Sequence, residues 1–222
     1  MIKNITIPQK LLSIVNKDIF QALTDLFGIK FKNHADIFRI LRKNPNYRSQ
    51  IFDLINMLPA LNLINYEIKK KLEKNILKKT LINWTYPQIR FDDILSKKFS
   101  APAHKDRWVI DKDKTGYIVW IPLKKGGANL LVAENDQTKK IKVHNYWDLE
   151  AKGSTKFKKT KVEFGKGLLF DADLLHKSSA TTDSRITLQL RYEEITRNKI
   201  FRRSVNQKID PKVLKYWKKT LI

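Results

Sequence analysis

The chain has 222 residues, of which 42% are hydrophobic and 30% are charged, so it is long enough to bury one substantial core. This composition excludes collagen-like, low-complexity and wholly disordered chains. Lys and Arg together number 45 against 22 Asp and Glu, and the resulting net charge of +23 favours anionic partners without identifying one.

The chain contains no cysteine, which excludes disulfides, zinc fingers and thiolate chemistry. We therefore expect a reducing, cytoplasmic location. The N-terminus lacks an apolar signal core, and the longest uncharged stretch, Leu54 to Tyr66, is too short for a membrane span. No targeting segment and no membrane span are expected.

Apolar residues recur at helical spacing from Pro8 to about Lys79. Gly28 is expected to end the first helix, the Asn-Pro-Asn cluster at 44–46 to break the second, and Pro59 to divide the third. Residues 1–83 are therefore predicted to form a helical N-terminal segment that packs on the core.

After Trp84 the sequence changes to short runs rich in Val, Ile, Tyr and Trp, which are typical of an all-β unit. Eight such runs predict a mainly β fold over residues 84–200, either a double-sheet barrel or a cupin-like jelly roll. A tail over 201–222 is predicted to end in a short C-terminal helix that begins at Asp210 and Pro211. The candidate strands are Gln88 to Phe91, His104 to Ile110, Gly116 to Leu123, Asn129 to Glu134, Lys140 to Asn145, Thr160 to Phe164, Gly167 to Asp171 and Ser184 to Glu194.

Three residues in this β region form a candidate metal site. His104 and Asp106 are two residues apart on a predicted strand, so the imidazole and the carboxylate share one face. His176 lies shortly before the strand that Arg185 opens. Two histidines and one carboxylate without a thiolate are typical of non-haem Fe(II) sites, which keep positions open for a 2-oxo acid and O2.

Arg185 is a candidate anchor for the distal carboxylate of 2-oxoglutarate, because a guanidinium offers a planar pair of donors. Thr187 and Gln189 share its strand face and could add hydrogen bonds. Arg191 is a candidate substrate contact.

For the other notable aromatic residues and histidines, we expect less specialised positions. Trp108 follows Asp106 on the same predicted face, where it could flank the substrate or belong to the core. Trp120 is expected in the core. His34 and His144 are expected on the surface, and the loop at 152–155 is a candidate lid.

Two segments carry a resemblance to a known family. APAHKDRWVIDKDKTGYIVWIPL resembles the His-x-Asp strand and the following Trp-Ile-Pro-Leu strand of the phytanoyl-CoA dioxygenase family, and FDADLLHKSSATTDSRITLQLRY resembles that family's distal histidine and arginine segment. The resemblance covers roughly residues 86 to 195. It implies a double-stranded β-helix, Fe(II), 2-oxoglutarate and O2, with His104, Asp106 and His176 as iron ligands and Arg185 as the co-substrate anchor.

The chain departs from the family pattern in two places. The spacing from His176 to Arg185 is about two residues shorter than in the family, which keeps Arg191 as a rival anchor. The segment LLVAENDQTKK stands where the family has Pro-Gly-Ser-His, which indicates an unusual substrate mouth.

The chain is therefore expected to be an Fe(II)- and 2-oxoglutarate-dependent dioxygenase that hydroxylates a small anionic metabolite or a sugar or polysaccharide precursor. One alternative is a nucleic-acid dealkylating oxygenase, because the arginine spacing in RITLQLR is similar to that of the DNA and RNA dealkylating enzymes. The other is a non-catalytic basic binding module. Since the lysines are spread over the whole chain, only weak and non-specific binding to nucleic acid is expected.

Overall fold

In the computed structural model, the described residues are 1–93, 103–106, 115–134, 156–178 and 184–195. The helices are α1 (Gln9–Phe27), α2 (His34–Lys43), α3 (Tyr47–Asn56) and α4 (Pro59–Lys71), which a π-helical turn (Leu72–Ile76) follows. The strands are β1 (Ile2–Thr6), β2 (Leu81–Asn83), β3 (Gln88–Asp92), β4 (Gly116–Pro122), β5 (Ala128–Ala133), β6 (Phe157–Val162), β7 (Lys166–Asp171), β8 (His176–Ser178) and β9 (Arg185–Glu194).

Several predicted features lie outside the described residues. They are the strand Lys140 to Asn145, the loop 152–155, the side chains of Trp108 and His144, and the C-terminal helix.

Single residues set the boundaries of the helices. Gly28 ends α1 with a φ of 66°, a left-handed conformation that costs glycine little. Asn33 and Asp36 form a capping box at the start of α2. Helix α3 ends before Pro59 opens α4, which confirms the predicted division. None of the described helices is both long and apolar enough to cross a membrane.

The described strands pair antiparallel in two sheets. In the larger sheet the order is β1-β7-β4-β9-β2, and β3 also pairs with β9. In the smaller sheet the order is β6-β5-β8, and an isolated bridge from His104 to His176 continues it beyond β8.

The path of the chain between these sheets defines a jelly roll. From β3 onward, β3, β4, β7 and β9 lie in the larger sheet, whereas the His104 segment, β5, β6 and β8 lie in the smaller one. Eight segments that are shared in this way between two antiparallel sheets are typical of a double-stranded β-helix. The predicted mainly β fold class is therefore confirmed.

The larger sheet has two different faces. Outward residues of β4, such as Val119 and Ile121, share a hydrophobic core with the helices. Inward residues Ile118 and Trp120 instead pack with Leu130 of the smaller sheet. Trp120 is 2% exposed, so its predicted place in the core is confirmed. The helices thus cover the outside of the larger sheet, and the space between the sheets is the interior of the jelly roll.

The N-terminal segment differs from its prediction because it is not helical throughout. Strand β1 pairs with β7 and strand β2 pairs with β9, so both ends of the segment enter the larger sheet. Each strand is short and buries a single residue, Ile5 in β1 and Leu81 in β2. Strands this short show almost no recognisable sequence pattern, because pairing with a neighbouring strand determines their conformation.

Candidate metal centre

The two histidines of the candidate site are brought together by backbone pairing. His104 and His176 exchange hydrogen bonds in both directions, with N–O distances of 2.9 and 3.0 Å. Residues paired directly across two antiparallel strands place their side chains on the same face. The two imidazole ring centres are consequently 4.3 Å apart.

Asp106 completes a compact and buried group with these histidines. One potential ligand atom from each of His104, Asp106 and His176 lies within 4.8 Å of the other two. The three residues are 8%, 2% and 4% exposed. Asp106 itself lies outside the described strand pairing, so it is not part of a regular strand as the sequence predicted. The three residues that the sequence singled out therefore form a group that could hold one metal ion.

A hydrogen bond from Nδ1 of His176 leaves Nε2 of the same ring able to bind a metal. Its Nδ1 is 3.0 Å from the carbonyl oxygen of Leu174 and must donate to it, which leaves the lone pair of Nε2 free to coordinate. Burial is the largest cause that lowers the pKa of His176, and the charges of Arg191 and Arg90 act in the same direction. The ring is therefore neutral at neutral pH, as metal binding requires.

The carboxylate of Asp106 divides its two oxygens between different partners. Oδ1 accepts a 3.0 Å hydrogen bond from Nε of Arg191, and Oδ2 is 3.6 Å from Nε2 of His176. Burial alone would raise the pKa of Asp106, but the adjacent positive charge of Arg191 outweighs it and holds the pKa below its ordinary value. Asp106 is therefore an ionised carboxylate with one oxygen directed toward the histidines.

The inner faces of β9 and β3 are polar, which is unusual for the interior between two sheets. On β9 the inward residues are buried at alternate positions, namely Arg185, Thr187, Gln189, Arg191 and Glu193. On β3 they are Gln88, Arg90 and Asp92, and the antiparallel register sets these opposite Gln189, Thr187 and Arg185. The interior therefore carries an extended polar surface on one side of the candidate metal centre.

Arg191 is fully engaged in this surface. Besides Asp106, its guanidinium donates to Oε1 of Gln88 at 2.6 Å and to Oε1 of Gln189 at 2.5 Å. Three donors on three acceptors fix the plane of the guanidinium, and with it the orientation of Asp106. This arrangement favours a supporting role for Arg191 over the role of co-substrate anchor.

Arg185 occupies the other end of the same strand face. Its Nε donates to Oδ2 of Asp92 at 2.8 Å, a second donor reaches the carbonyl oxygen of Asn129, and its guanidinium lies 5.6 Å from the ring centre of Trp120. The side chain is 4% exposed. The guanidinium is thus held rigidly inside the jelly roll.

Between Arg185 and Gln189, the hydroxyl of Thr187 is a buried polar atom with no hydrogen-bond partner among the described residues. A buried hydroxyl without a partner costs free energy unless a ligand satisfies it. The site thus combines a fixed guanidinium, an unsatisfied hydroxyl and a nearby amide, and this set fits a carboxylate ligand. The N,N,O set of His104, Asp106 and His176 likewise fits Fe(II).

Sequence reasoning missed the contribution of β3. The strand was predicted, but its alternation of polar and apolar residues in QIRFD is equally typical of a strand with one solvated face. Arg90 lies on its inner face, with a side chain 23% exposed and Nη2 3.9 Å from Oδ1 of Asp92. Only the pairing with β9 reveals that this polar face lines the interior.

The expectation for His34 was wrong, because this histidine is buried at 8% exposure. Its ring packs against Phe20 with 5.2 Å between ring centres, and Nε2 is 3.0 Å from Oδ1 of Asn16. A position at the start of a helix indicated solvent, but the ring turns toward α1.

No family model matches the chain, and no curated protein sequence matches it. Among solved structures, the chain is similar to EvdO2 from Micromonospora carbonacea var. aurantiaca complexed with 2-oxoglutarate. That similarity has a TM-score of 0.49 and 10% identity, over 87% of this chain and 86% of that chain.

Two further solved structures are similar at the same level. One is the apo form of the non-haem monooxygenase ThoJ, with a TM-score of 0.47 and 11% identity over 85% of this chain and 71% of that chain. The other is the α-ketoglutarate-dependent epimerase SnoN from nogalamycin biosynthesis, with a TM-score of 0.46 and 13% identity over 63% and 59%. The chemistry of this chain therefore has to be inferred from its own residues.

Proposed function

We propose that the protein is an Fe(II)- and 2-oxoglutarate-dependent dioxygenase that hydroxylates a small anionic metabolite or a sugar or polysaccharide precursor. The observation that carries this proposal is the buried group of His104, Asp106 and His176, whose ligand atoms lie within 4.8 Å of one another inside a jelly roll. Two imidazoles and one carboxylate leave positions open on the metal, which a closed structural site would not.

Bound Fe(II) would supply O2 activation, so that 2-oxoglutarate is oxidised to succinate and CO2 while a substrate C–H bond is hydroxylated. The residues of the chain would position the metal and orient its ligands. The three ligands fix the position of the metal, and Arg191 holds the carboxylate of Asp106 in one orientation. Their burial keeps bulk water away from the reacting atoms.

In this proposal the distal carboxylate of 2-oxoglutarate binds to Arg185, with Thr187 and Gln189 as further partners. The hydroxyl of Thr187 supports this assignment, because it has no partner among the described residues and a carboxylate oxygen at that point would accept its hydrogen bond. The engagement of Arg191 with Asp106, Gln88 and Gln189 supports the choice of Arg185 over Arg191.

The position of Arg90 favours an anionic substrate. It is the most exposed of the three inward arginines, and its nearest described carboxylate oxygen, on Asp92, lies beyond hydrogen-bond distance at 3.9 Å. A carboxylate or phosphate of the substrate could bind this partly exposed arginine.

The proposed function is tested by turnover of 2-oxoglutarate. Purified protein loaded with Fe(II) in air should convert 2-oxoglutarate slowly to succinate, and a substrate from a panel of anionic metabolites and sugar precursors should accelerate this. The variant His176→Ala should lose both rates. Succinate formation that persists in His176→Ala would contradict the proposal. Formaldehyde release from a methylated oligonucleotide, dependent on His176 and 2-oxoglutarate, would instead establish the dealkylating alternative.

A further inference from the structure

A cavity of about 1100 Å³ opens on the helix-covered side of the larger sheet. We call it the helix-side cleft; its lining residues lie between Gln9 and Thr24 of α1, at 30–35, at 123–125 and at Phe164. Leu123 and Phe164 belong to the core that the helices share with the outer face of the sheet. The metal centre lies between the sheets, so the larger sheet separates it from this cleft.

The walls of the helix-side cleft are strongly basic. Among the residues that the structure describes, these walls carry no Asp or Glu and five lysines, which are Lys17, Lys30, Lys32, Lys124 and Lys125. Two nearby carboxylates are engaged elsewhere, since Asp25 accepts from the amide of Gln21 and Asp36 accepts from backbone N–H groups in the capping box. The positive end of the α2 dipole also faces this region. An anion in the cleft would therefore meet cations from three separate segments.

His34 adds a neutral acceptor to this basic cleft. Asn16 donates its amide to the carbonyl oxygen of Leu123 at 3.0 Å, so the amide oxygen faces Nε2 of His34 and that nitrogen carries the proton. The other ring nitrogen, Nδ1, is then an acceptor. Burial, followed by the charge of Lys124, lowers the pKa of His34 to about 4, which keeps the ring neutral at neutral pH.

These features together specify a ligand class. The lysines favour a phosphate or a similar anion, the ring nitrogen favours a hydroxyl donor, and Phe20, Phe31 and Phe164 offer apolar surface to a sugar ring. We propose that the helix-side cleft is a second binding site, separate from the metal centre, for a small phosphorylated sugar or polyol. Its phosphate binds to the lysines, and one of its hydroxyls donates to His34.

Calorimetric titration at low ionic strength tests this site with three probes: glucose 6-phosphate, inorganic phosphate and glucose. Glucose 6-phosphate should bind most tightly and glucose least. The double variant Lys124→Ala/Lys125→Ala should weaken glucose 6-phosphate binding by roughly tenfold or more, because it removes charge-assisted contacts. The matched control Lys158→Ala/Lys159→Ala removes the same charge from the exposed edge strand β6 and should leave the affinity nearly unchanged.

The titration also separates this site from the metal centre. The variant His176→Ala should retain glucose 6-phosphate binding, and a loss there would overturn the proposal by placing the probe between the sheets. Equal weakening by the two lysine pairs would overturn it as well, since it would mean that diffuse charge is responsible. Equal affinities for inorganic phosphate and glucose 6-phosphate would overturn the assignment to a sugar.

Discussion

At the scale of single residues, the arginines of the interior differ in whether their N–H donors remain available to a ligand. Arg191 gives its donors to Asp106, Gln88 and Gln189, whereas Arg185 is steadied by Asp92 and by a backbone carbonyl beside an unsatisfied hydroxyl. Two arginines on one strand face can therefore serve one site in different ways. Arg191 orients Asp106, a proposed metal ligand, and Arg185 is the proposed co-substrate anchor.

Substitution by lysine should separate these two roles, because lysine keeps the charge but loses the planar pair of donors. Arg185→Lys should weaken 2-oxoglutarate binding by roughly tenfold or more while sparing Fe(II) affinity. Arg191→Lys should mainly weaken Fe(II) binding, since Asp106 loses its orienting partner. Titrations of both ligands under anaerobic conditions measure this. Normal 2-oxoglutarate affinity in Arg185→Lys, together with a large loss in Arg191→Lys, would transfer the anchor to Arg191.

Buried His34 should make stability depend on pH. The unfolded chain protonates this histidine near its ordinary pKa of 6.5, whereas the folded protein keeps it neutral down to about 4. Between these values the unfolded state binds more protons, so stability falls as the pH falls. The loss should reach about 3 kcal/mol in the unfolding free energy at the low end of this window.

Urea denaturation near neutral pH and again near pH 4.5, on the wild type and on His34→Gln, measures this dependence. The variant should lose distinctly less stability on acidification, because only the difference between the two proteins reports on His34. If the unfolding free energies of the two proteins fell equally with pH, the ring would not be held in its neutral form.

At the scale of elements, the sequence was informative where one residue or one period decides the geometry. Gly28 and Pro59 set helix boundaries by their own backbone preferences. Period two along β9 correctly placed Arg185, Thr187 and Gln189 on one face.

The sequence could not supply what depends on pairing between distant segments. The position of β3 opposite β9 and the insertion of β1 beside β7 follow from register, which no local pattern encodes. For the same reason the part that Arg90 and Asp92 take in the site was not predictable. His34 was misjudged because its capping position does not reveal which helix its ring packs against.

The turn between β4 and β5 offers a test at this scale, because β5 pairs with the strand that carries His176. Gly126 and Gly127 both have positive φ, so an alanine at either position is strained. A Cβ at Gly127 would also lie 2.2 Å from the carbonyl oxygen of Val162, whereas one at Gly126 would meet nothing within 4 Å. Gly127→Ala should therefore lower Tm clearly more than Gly126→Ala in thermal unfolding. Equal Tm values would contradict this packing of the turn.

At the scale of the whole molecule, the net charge of +23 is spread over helices, strand edges and tail. Such a field attracts polyanions without selecting among them. We expect binding to DNA or RNA that is weaker than about 1 µM and that falls steeply between about 50 and 200 mM salt, because counterions are released with each phosphate contact. Fluorescence anisotropy with labelled oligonucleotides of different sequence measures this. Tight binding that survives the higher salt and prefers one sequence would contradict it.

We propose that His104, Asp106 and His176 bind one Fe(II) that 2-oxoglutarate then coordinates. The most direct test of this site is an anaerobic titration with Fe(II) and 2-oxoglutarate, followed by visible absorption and metal analysis. The wild type should bind one iron per chain and develop a weak charge-transfer band, His104→Ala and Asp106→Ala should lose both, and the control His34→Gln should keep both. An unchanged band and iron stoichiometry in His104→Ala and Asp106→Ala would contradict the assignment.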